Sequence, residues 1–151
     1  MDYLKKYLYL IQERNPNRLE IHWQVEEQII DNIIPKMALQ QVVENSVNHG
    51  LKNTIGKMRI KVDGYQTNRG WRIEVSDNGC GFDKNIYDKL LEELKRIKEN
   101  ILSKSMSPEL EIGGMGLMNT YARCLFLYNV GTVFEIENSD RGVSVTIGEE
   151  R

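Results

Sequence analysis

Tyr3, Leu4, Tyr7, Leu8 and Ile11 recur at helical spacing, so the chain opens with an amphipathic helix, which Asn15-Pro16-Asn17 stops. Leu19, Ile21, Trp23 and Val25 then alternate with Glu20, His22 and Gln24, the period of a half-buried strand. A short helical piece is expected over 27–34, ended by Pro35. From Lys36 a second helix places Leu39, Val42, Val43, Ser46 and Val47 on one face, with Gly50 as its expected C-cap. Residues 58–62 and 71–75 alternate again, and 63–70 reads as the loop of a hairpin. Ile86, Leu90, Leu94, Ile97 and Ile101 mark a third helix; 103–112 has no period and reads as loop. A glycine cluster at 113–116 opens a fourth helix with Leu117, Met118, Tyr121, Ala122 and Leu125 inward. Two alternating strands, 132–137 and 143–147, close the chain.

Helices on one side and alternating strands on the other make two apolar layers. The strands alternate rather than running fully apolar, so one sheet face is solvated. The expected class is α+β, a two-layer α/β sandwich with a mixed sheet packed on helices.

Composition narrows the function. A chain of 151 residues with 20 Lys+Arg against 22 Asp+Glu has a formal charge of −2. That balance argues against nucleic-acid binding through a basic face. The length predicts one domain. No run approaches the ~18 apolar residues of a membrane span, and no signal peptide opens the chain. The two cysteines, Cys80 and Cys124, have no disulfide or zinc spacing and read as free thiols in a reducing, cytoplasmic compartment.

Three clusters carry chemistry. In the second helix Gln41, Asn45 and Asn48 fall at i, i+4 and i+7, one polar stripe beside the apolar face. It reads either as a solvated face or as an oxygen donor to a hard cation such as Mg²⁺, which takes few protein ligands. Asp77-Asn78-Gly79-Cys80-Gly81-Phe82 follows a strand. It reads as a tight turn or as a carboxylate aimed at a ligand donor, with glycines that let backbone approach. Gly113-Gly114-Met115-Gly116-Leu117 opens a helix, where amide N–H groups suit phosphate. No strand precedes these glycines, which excludes the dinucleotide fingerprint, and no P-loop or protein-kinase catalytic loop is present.

Taken in order, 35–40 leading into Glu44-Asn45-Ser46-Val47-Asn48-His49-Gly50, then Asp77-Asn78-Gly79-Cys80-Gly81-Phe82, then Gly114-Met115-Gly116-Leu117-Met118-Asn119, resemble the asparagine box and two glycine boxes of the GHKL ATPase superfamily. The wording is similar to the ATP-binding domain of bacterial sensor histidine kinases of the YesM/LytS type. Residues 7–14 resemble the helix joining the dimerisation region to that domain, and 120–125 the helix after the second glycine box.

The resemblance implies that Asn45 coordinates Mg²⁺ on the ATP phosphates. It implies that Asp77 accepts from the adenine amino group while Gly79 and Gly81 let the base approach beside Phe82. Gly114, Met115, Gly116 and Leu117 would flank the phosphates. Gln41, Asn48 and His49 are expected on the ATP side, and Thr146 to supply an adenine-side hydroxyl. Glu44 is a candidate polarising base. The expected division is 1–14, the end of the joining helix, and 15–151, the ATP-binding domain, with an ATP lid at 83–112 that makes few core contacts. Relatives often carry Lys or Arg where this chain has Asn48, and Gly-Thr where it has Gly142-Val143.

Neither His22 nor His49 lies in a phosphoacceptor context. The implied partners are therefore ATP, upstream dimerisation and phosphoacceptor helices, and a response regulator. The full protein is expected to be a homodimer and a membrane-anchored sensor, this chain being a soluble cytoplasmic part that does not phosphorylate itself. The rivals are an anti-sigma-type serine kinase and a nucleotide-binding module without transferase activity.

Overall fold

The computed structural model describes residues 2–35, 37–103 and 116–151. Helix α1 spans Asp2–Arg14, strand β1 Leu19–Val25, helix α2 Ala38–Asn53, and strands β2 and β3 Met58–Thr67 and Gly70–Asp77. Helices α3 and α4 follow at Lys84–Leu102 and Gly116–Tyr128, then strands β4 and β5 at Thr132–Ser139 and Gly142–Glu150. The sheet order is β1-β2-β3-β5-β4. The β1–β2 pair is parallel and the other three pairs are antiparallel. This is the mixed-sheet α+β sandwich that the alternation predicts.

One sheet face is core. Ile60, Val62, Ile73, Val75, Val145 and Ile147 are buried there under Val42 and Val43 of α2 and Leu117, Ala122 and Leu125 of α4. Each fully buried side chain of this kind contributes about 1.5–3 kcal/mol. The other face carries charge: His22 Nε2 lies 3.0 Å from Glu20 Oε1, and Lys61 pairs with Asp63. Of the cysteines, Cys80 is exposed and Cys124 is buried, and burial pushes the Cys124 thiol up to about 12. Among the described residues no helix is long and apolar enough to cross a membrane.

Helix α1 is built into this core rather than lying beside it. Leu4 and Leu8 are buried, Tyr7 and Ile11 pack against them, and Gln12 Oε1 accepts from the Ile21 amide at 2.9 Å. Helix α3 is held too: Leu90, Leu94, Ile97 and Ile101 are buried, and Asp83 caps its start through the Asn85 amide. The expectation of few core contacts in 83–112 therefore fails over 84–102.

Three local expectations are corrected. The 27–34 piece is only a 3₁₀ turn, Glu27–Ile29. Ile29 inserts against the sheet over Gly64, where a Cβ would come within 2.5 Å of Ile29 Cδ1, while Ile30 and Ile33 stay exposed. Gly50 is not a C-cap. Helix α2 runs on to Asn53, and Gly50 is buried beneath Met58, whose Cε would lie 2.1 Å from an added Cβ. The hairpin loop is not 63–70, because the ladder continues to Thr67 opposite Gly70. The loop reading of 104–112, and Gly113, lie outside the described residues.

Candidate functional site

Strand β3 delivers Asp77 to the edge of the core face, and the next five residues turn back across it. Both protein hydrogen bonds on the Asp77 carboxylate fall on Oδ1, from the amides of Gly79 at 2.9 Å and Val143 at 3.3 Å. Among the described residues Oδ2 has no hydrogen-bond partner and remains able to accept. Asn78 ties the turn to the start of β2: its Oδ1 accepts from the Arg59 amide and its Nδ2 donates to the Lys57 carbonyl. From the other side Asn138 brackets Phe82, accepting from its amide at 2.6 Å and donating to its carbonyl at 2.9 Å. Two glycines make this possible. Gly81 has φ +73°, and a Cβ there would sit 2.1 Å from the Ser139 carbonyl oxygen. Gly142 has φ +126°, and its Cβ would sit 1.9 Å from the Asp77 carbonyl oxygen. A side chain at either position is blocked by both backbone conformation and backbone contact.

Beside this turn lies a cavity of about 60 Å³, walled by Asn45, Ser46, His49 and Gly50 of α2, Asp77 and residues 79–82, Val143 and Val145 of β5, and Leu117 of α4. A second cavity, about 130 Å³, is lined by Asn45, His49, Phe82, Ile86, Leu90, Gly116 and Leu117. The two share Asn45, His49, Phe82 and Leu117, so they form one trough from Asp77 to the start of α4.

At that far end Gln41 and Asn45 stack one turn apart on α2. A Cβ added to Gly116 would lie 3.1 Å from Gln41 Oε1 and 3.5 Å from Asn45 Nδ2, so the start of α4 packs closely on these two side chains. Gln41 Oε1 is buried and has no hydrogen-bond partner among the described residues. His49 closes the trough in an edge-type contact with Phe82, ring centroids 6.4 Å apart.

The structure thus brings together Gln41, Asn45, His49, Asp77, Gly79, Gly81, Phe82, Gly116 and Leu117. It does not bring in three others. Asn48 is exposed and lines neither cavity. Thr146 pairs with Glu74 and Glu135 on the charged sheet face, because Val143 and Val145 take the inward positions of β5. Glu44 faces α1, where its Oε1 accepts from the Tyr7 hydroxyl at 2.9 Å and from Gln40 Nε2 at 2.8 Å. Gly114 and Met115 lie outside the described residues. Sequence reading missed Ser46, Asn138 and Gly142. The sequence pattern puts Ser46 on the apolar face, does not single out Asn138, and marks Gly142 only through its neighbour Val143.

The donor set suits a hard cation held mainly by a ligand's own oxygens. Among the described residues no three His, Cys, Asp or Glu side chains gather to hold a metal ion. Asn45 instead carries a single amide oxygen, one turn along α2 from a Gln41 Oε1 that has no hydrogen-bond partner among the described residues, a sparse set that would suit Mg²⁺ keeping waters and phosphates in its octahedron.

Known proteins resemble this chain in sequence and in fold. The sequence profile of the family described as histidine kinase-, DNA gyrase B-, and HSP90-like ATPase matches residues 31–149. Sensor protein LytS of Oceanobacillus iheyensis is 28% identical over 145 residues, which are 96% of this chain and 23% of that protein. LytS of Staphylococcus epidermidis is 30% identical over 140 residues, 93% of this chain and 22% of that protein. This chain therefore spans under a quarter of the length of these relatives. Among solved structures, the nucleotide-free catalytic domain of histidine kinase ThkA superposes with a TM-score of 0.59 at 17% identity, covering 99% of this chain and 90% of that one. The histidine kinase domain of the Erythrobacter litoralis EL346 blue-light activated histidine kinase gives 0.60 at 14% identity, covering 98% and 63%. These two likenesses concern the fold.

Proposed function

From the premise that this chain belongs to the histidine kinase-, DNA gyrase B-, and HSP90-like ATPase family, we propose that the trough binds ATP with Mg²⁺ and serves a sensor histidine kinase. One observation carries the reading. A carboxylate with one oxygen tied down and the other without a partner among the described residues stands at one end of a trough, and an asparagine under a glycine helix start stands at the other.

Asp77 Oδ2 accepts the exocyclic amino group of adenine. Guanine offers a carbonyl at that edge, and acceptor against acceptor leaves both unpaired. Phe82, His49 and the β5 valines wall the purine. Asn45 holds Mg²⁺ against the phosphates, with Gln41 beside it, and Gly116 and Leu117 lead the α4 amides toward the same oxygens. Bound Mg²⁺ neutralises phosphate charge, and the rest of phosphoryl transfer is positioning. Glu44 does not face the trough and is not its base.

The γ-phosphate goes to a histidine outside this chain. His22 lies on the opposite sheet face against Glu20, and His49 is a wall of the trough itself. As the resemblance to sensor histidine kinases implies, the acceptor lies in upstream dimerisation helices of a membrane-anchored homodimer, with this domain in the cytoplasm and a response regulator as the next acceptor. One observation favours a second reading, a module that binds without transferring: with Asn48 turned outward, no Lys or Arg lines either cavity among the described residues.

Calorimetry of the chain with ATP and GTP, with and without Mg²⁺, tests the site. The expected result is ATP preferred and tightened by Mg²⁺; equal affinities refute the Asp77 assignment. Incubation with γ-labelled ATP tests the acceptor. No label is expected on this chain, and acid-labile, base-stable label is expected on added upstream helices. Binding without such transfer selects the second reading, and stable label on serine selects an anti-sigma-type kinase.

A further inference from the structure

We propose that Tyr7 and Glu44 are a positioning pair that couples helix α1 to Asn45, so that the seat of α1 and the occupancy of the trough influence each other. The proposal rests on the nucleotide reading above.

Glu44 and Asn45 are consecutive on α2 and therefore point about 100° apart. Glu44 faces α1 while Asn45 faces the trough. A rotation or slide of α2 cannot move one without the other. Two donors converge on the same Glu44 oxygen, Tyr7 Oη at 2.9 Å and Gln40 Nε2 at 2.8 Å, which fixes the carboxylate tightly. Gln40 spends its amide on this contact although its own Oε1 is buried and has no hydrogen-bond partner among the described residues. Burial, followed by the hydrogen bond and charge of Glu44, lifts the Tyr7 hydroxyl above the ordinary tyrosine range, so it remains a donor.

The other polar anchors of α1 go elsewhere. Gln12 holds the Ile21 amide and Lys5 lies 5.6 Å over the Trp23 ring, both on β1. Among the described residues Tyr7–Glu44 is thus the side-chain hydrogen bond that joins α1 to α2. Leu4 and Leu8 dock α1 on the core whether or not this bond is made. The pair therefore specifies register between two helices more than it holds the fold together. Coupling of this kind is reciprocal: a ligand that fixes α2 must tighten α1 by the same free energy.

The test is hydrogen exchange by mass spectrometry on the whole chain, with and without ATP–Mg²⁺, reading residues 2–14 and 77–82. In the unsubstituted protein both segments are expected to slow. In Tyr7→Phe, 77–82 is expected to slow as before while the nucleotide-dependent protection of 2–14 falls at least threefold. Glu44→Gln, whose amide oxygen still accepts from Tyr7, is expected to keep that protection, and Glu44→Leu to lose it; this second pair decides the matter if Tyr7→Phe fails to fold. A merely structural bond would change exchange equally with and without nucleotide. Protection of 77–82 without any in 2–14, or full protection of 2–14 in Tyr7→Phe, overturns the pair alone. No protection of 77–82 in the unsubstituted chain overturns the nucleotide reading and the pair with it.

Discussion

The two ends of the trough are built on opposite plans. At the Asp77 end backbone and side chains close on one another: Gly79 and Val143 amides on Oδ1, Asn78 on β2, Asn138 on both polar groups of Phe82. At the Asn45 end the polar groups are gathered but unpaired, the Gln41 carbonyl beside Gly116 being buried and without a partner among the described residues. A preorganised end recognises by shape and loses little entropy on binding. An end with an orphaned acceptor gains most when a ligand arrives to complete it. The difference divides the labour: selectivity belongs to the first end, and metal and phosphate dependence to the second.

Breaking the rigid end is expected to have the largest effect. Gly142→Ala sets a Cβ 1.9 Å from the Asp77 carbonyl oxygen at a φ of +126°. Backbone cannot yield there without moving Asp77, so a loss of about 3–5 kcal/mol of stability is expected together with loss of ATP binding. Denaturant unfolding with parallel calorimetry measures both, and a variant of normal stability shows that the turn can yield at Gly142.

Asp77→Asn is milder and more selective. The amide oxygen can still serve Gly79 and Val143, but the nitrogen then opposes the adenine amino group. ATP affinity is expected to fall by about 1–3 kcal/mol and the preference over GTP to shrink, with little change in stability. Asn45→Ala, at the other end, is expected to spare nucleotide binding without metal and to abolish its enhancement by Mg²⁺. An enhancement that survives returns the α2 stripe to a plain solvated face.

How much of this was legible in the sequence follows the same division by range. Asp77, Gly79 and Gly81 sit within five residues, and Gln41 and Asn45 within one helical turn, so local pattern reaches them. The clamps are long-range. Asn138 binds Phe82 across 56 positions and Val143 reaches Asp77 across 66, which no local period encodes. Gly50 shows the ambiguity inside one residue type: glycine after an apolar helical stripe reads as a cap, yet here it makes room for Met58. Thr146 falls outside the trough for a different reason. The alternation that puts Val143 and Val145 inward sends Thr146 to the opposite sheet face, whatever its hydroxyl could offer a ligand.

Asn138→Ala tests the clamp without touching the ligand. It removes one hydrogen bond to the Phe82 amide and one to its carbonyl. About 1–2 kcal/mol of stability should go with them, at ~1 kcal/mol or less per net bond. ATP affinity is expected to weaken a few-fold, with the Mg²⁺ enhancement unchanged. A change in that enhancement would show that the two ends are not separable.

The smallest expected effect probes the incomplete end most directly. Gln41 Oε1 is buried without a partner among the described residues, and on that footing the free protein bears the cost of desolvating it. Gln41→Leu removes that acceptor and keeps most of the volume. Exchanging an unsatisfied polar group for an apolar one of similar shape is neutral or stabilising. A gain of up to about 1 kcal/mol is expected, which for a domain of this size raises Tm by about 2–4 °C. The same substitution takes away an acceptor next to Asn45, so affinity for ATP–Mg²⁺ is expected to fall while affinity for metal-free nucleotide stays. Stability and binding then move in opposite directions, as they do where a polar group is kept for its ligand rather than for the fold. Thermal unfolding without ligand and calorimetry with it give the two numbers on one sample. A variant that is destabilised when free and binds ATP–Mg²⁺ unchanged would mean that Gln41 supports α2 and the start of α4 instead, leaving Asn45 as the only protein group assigned to the metal end.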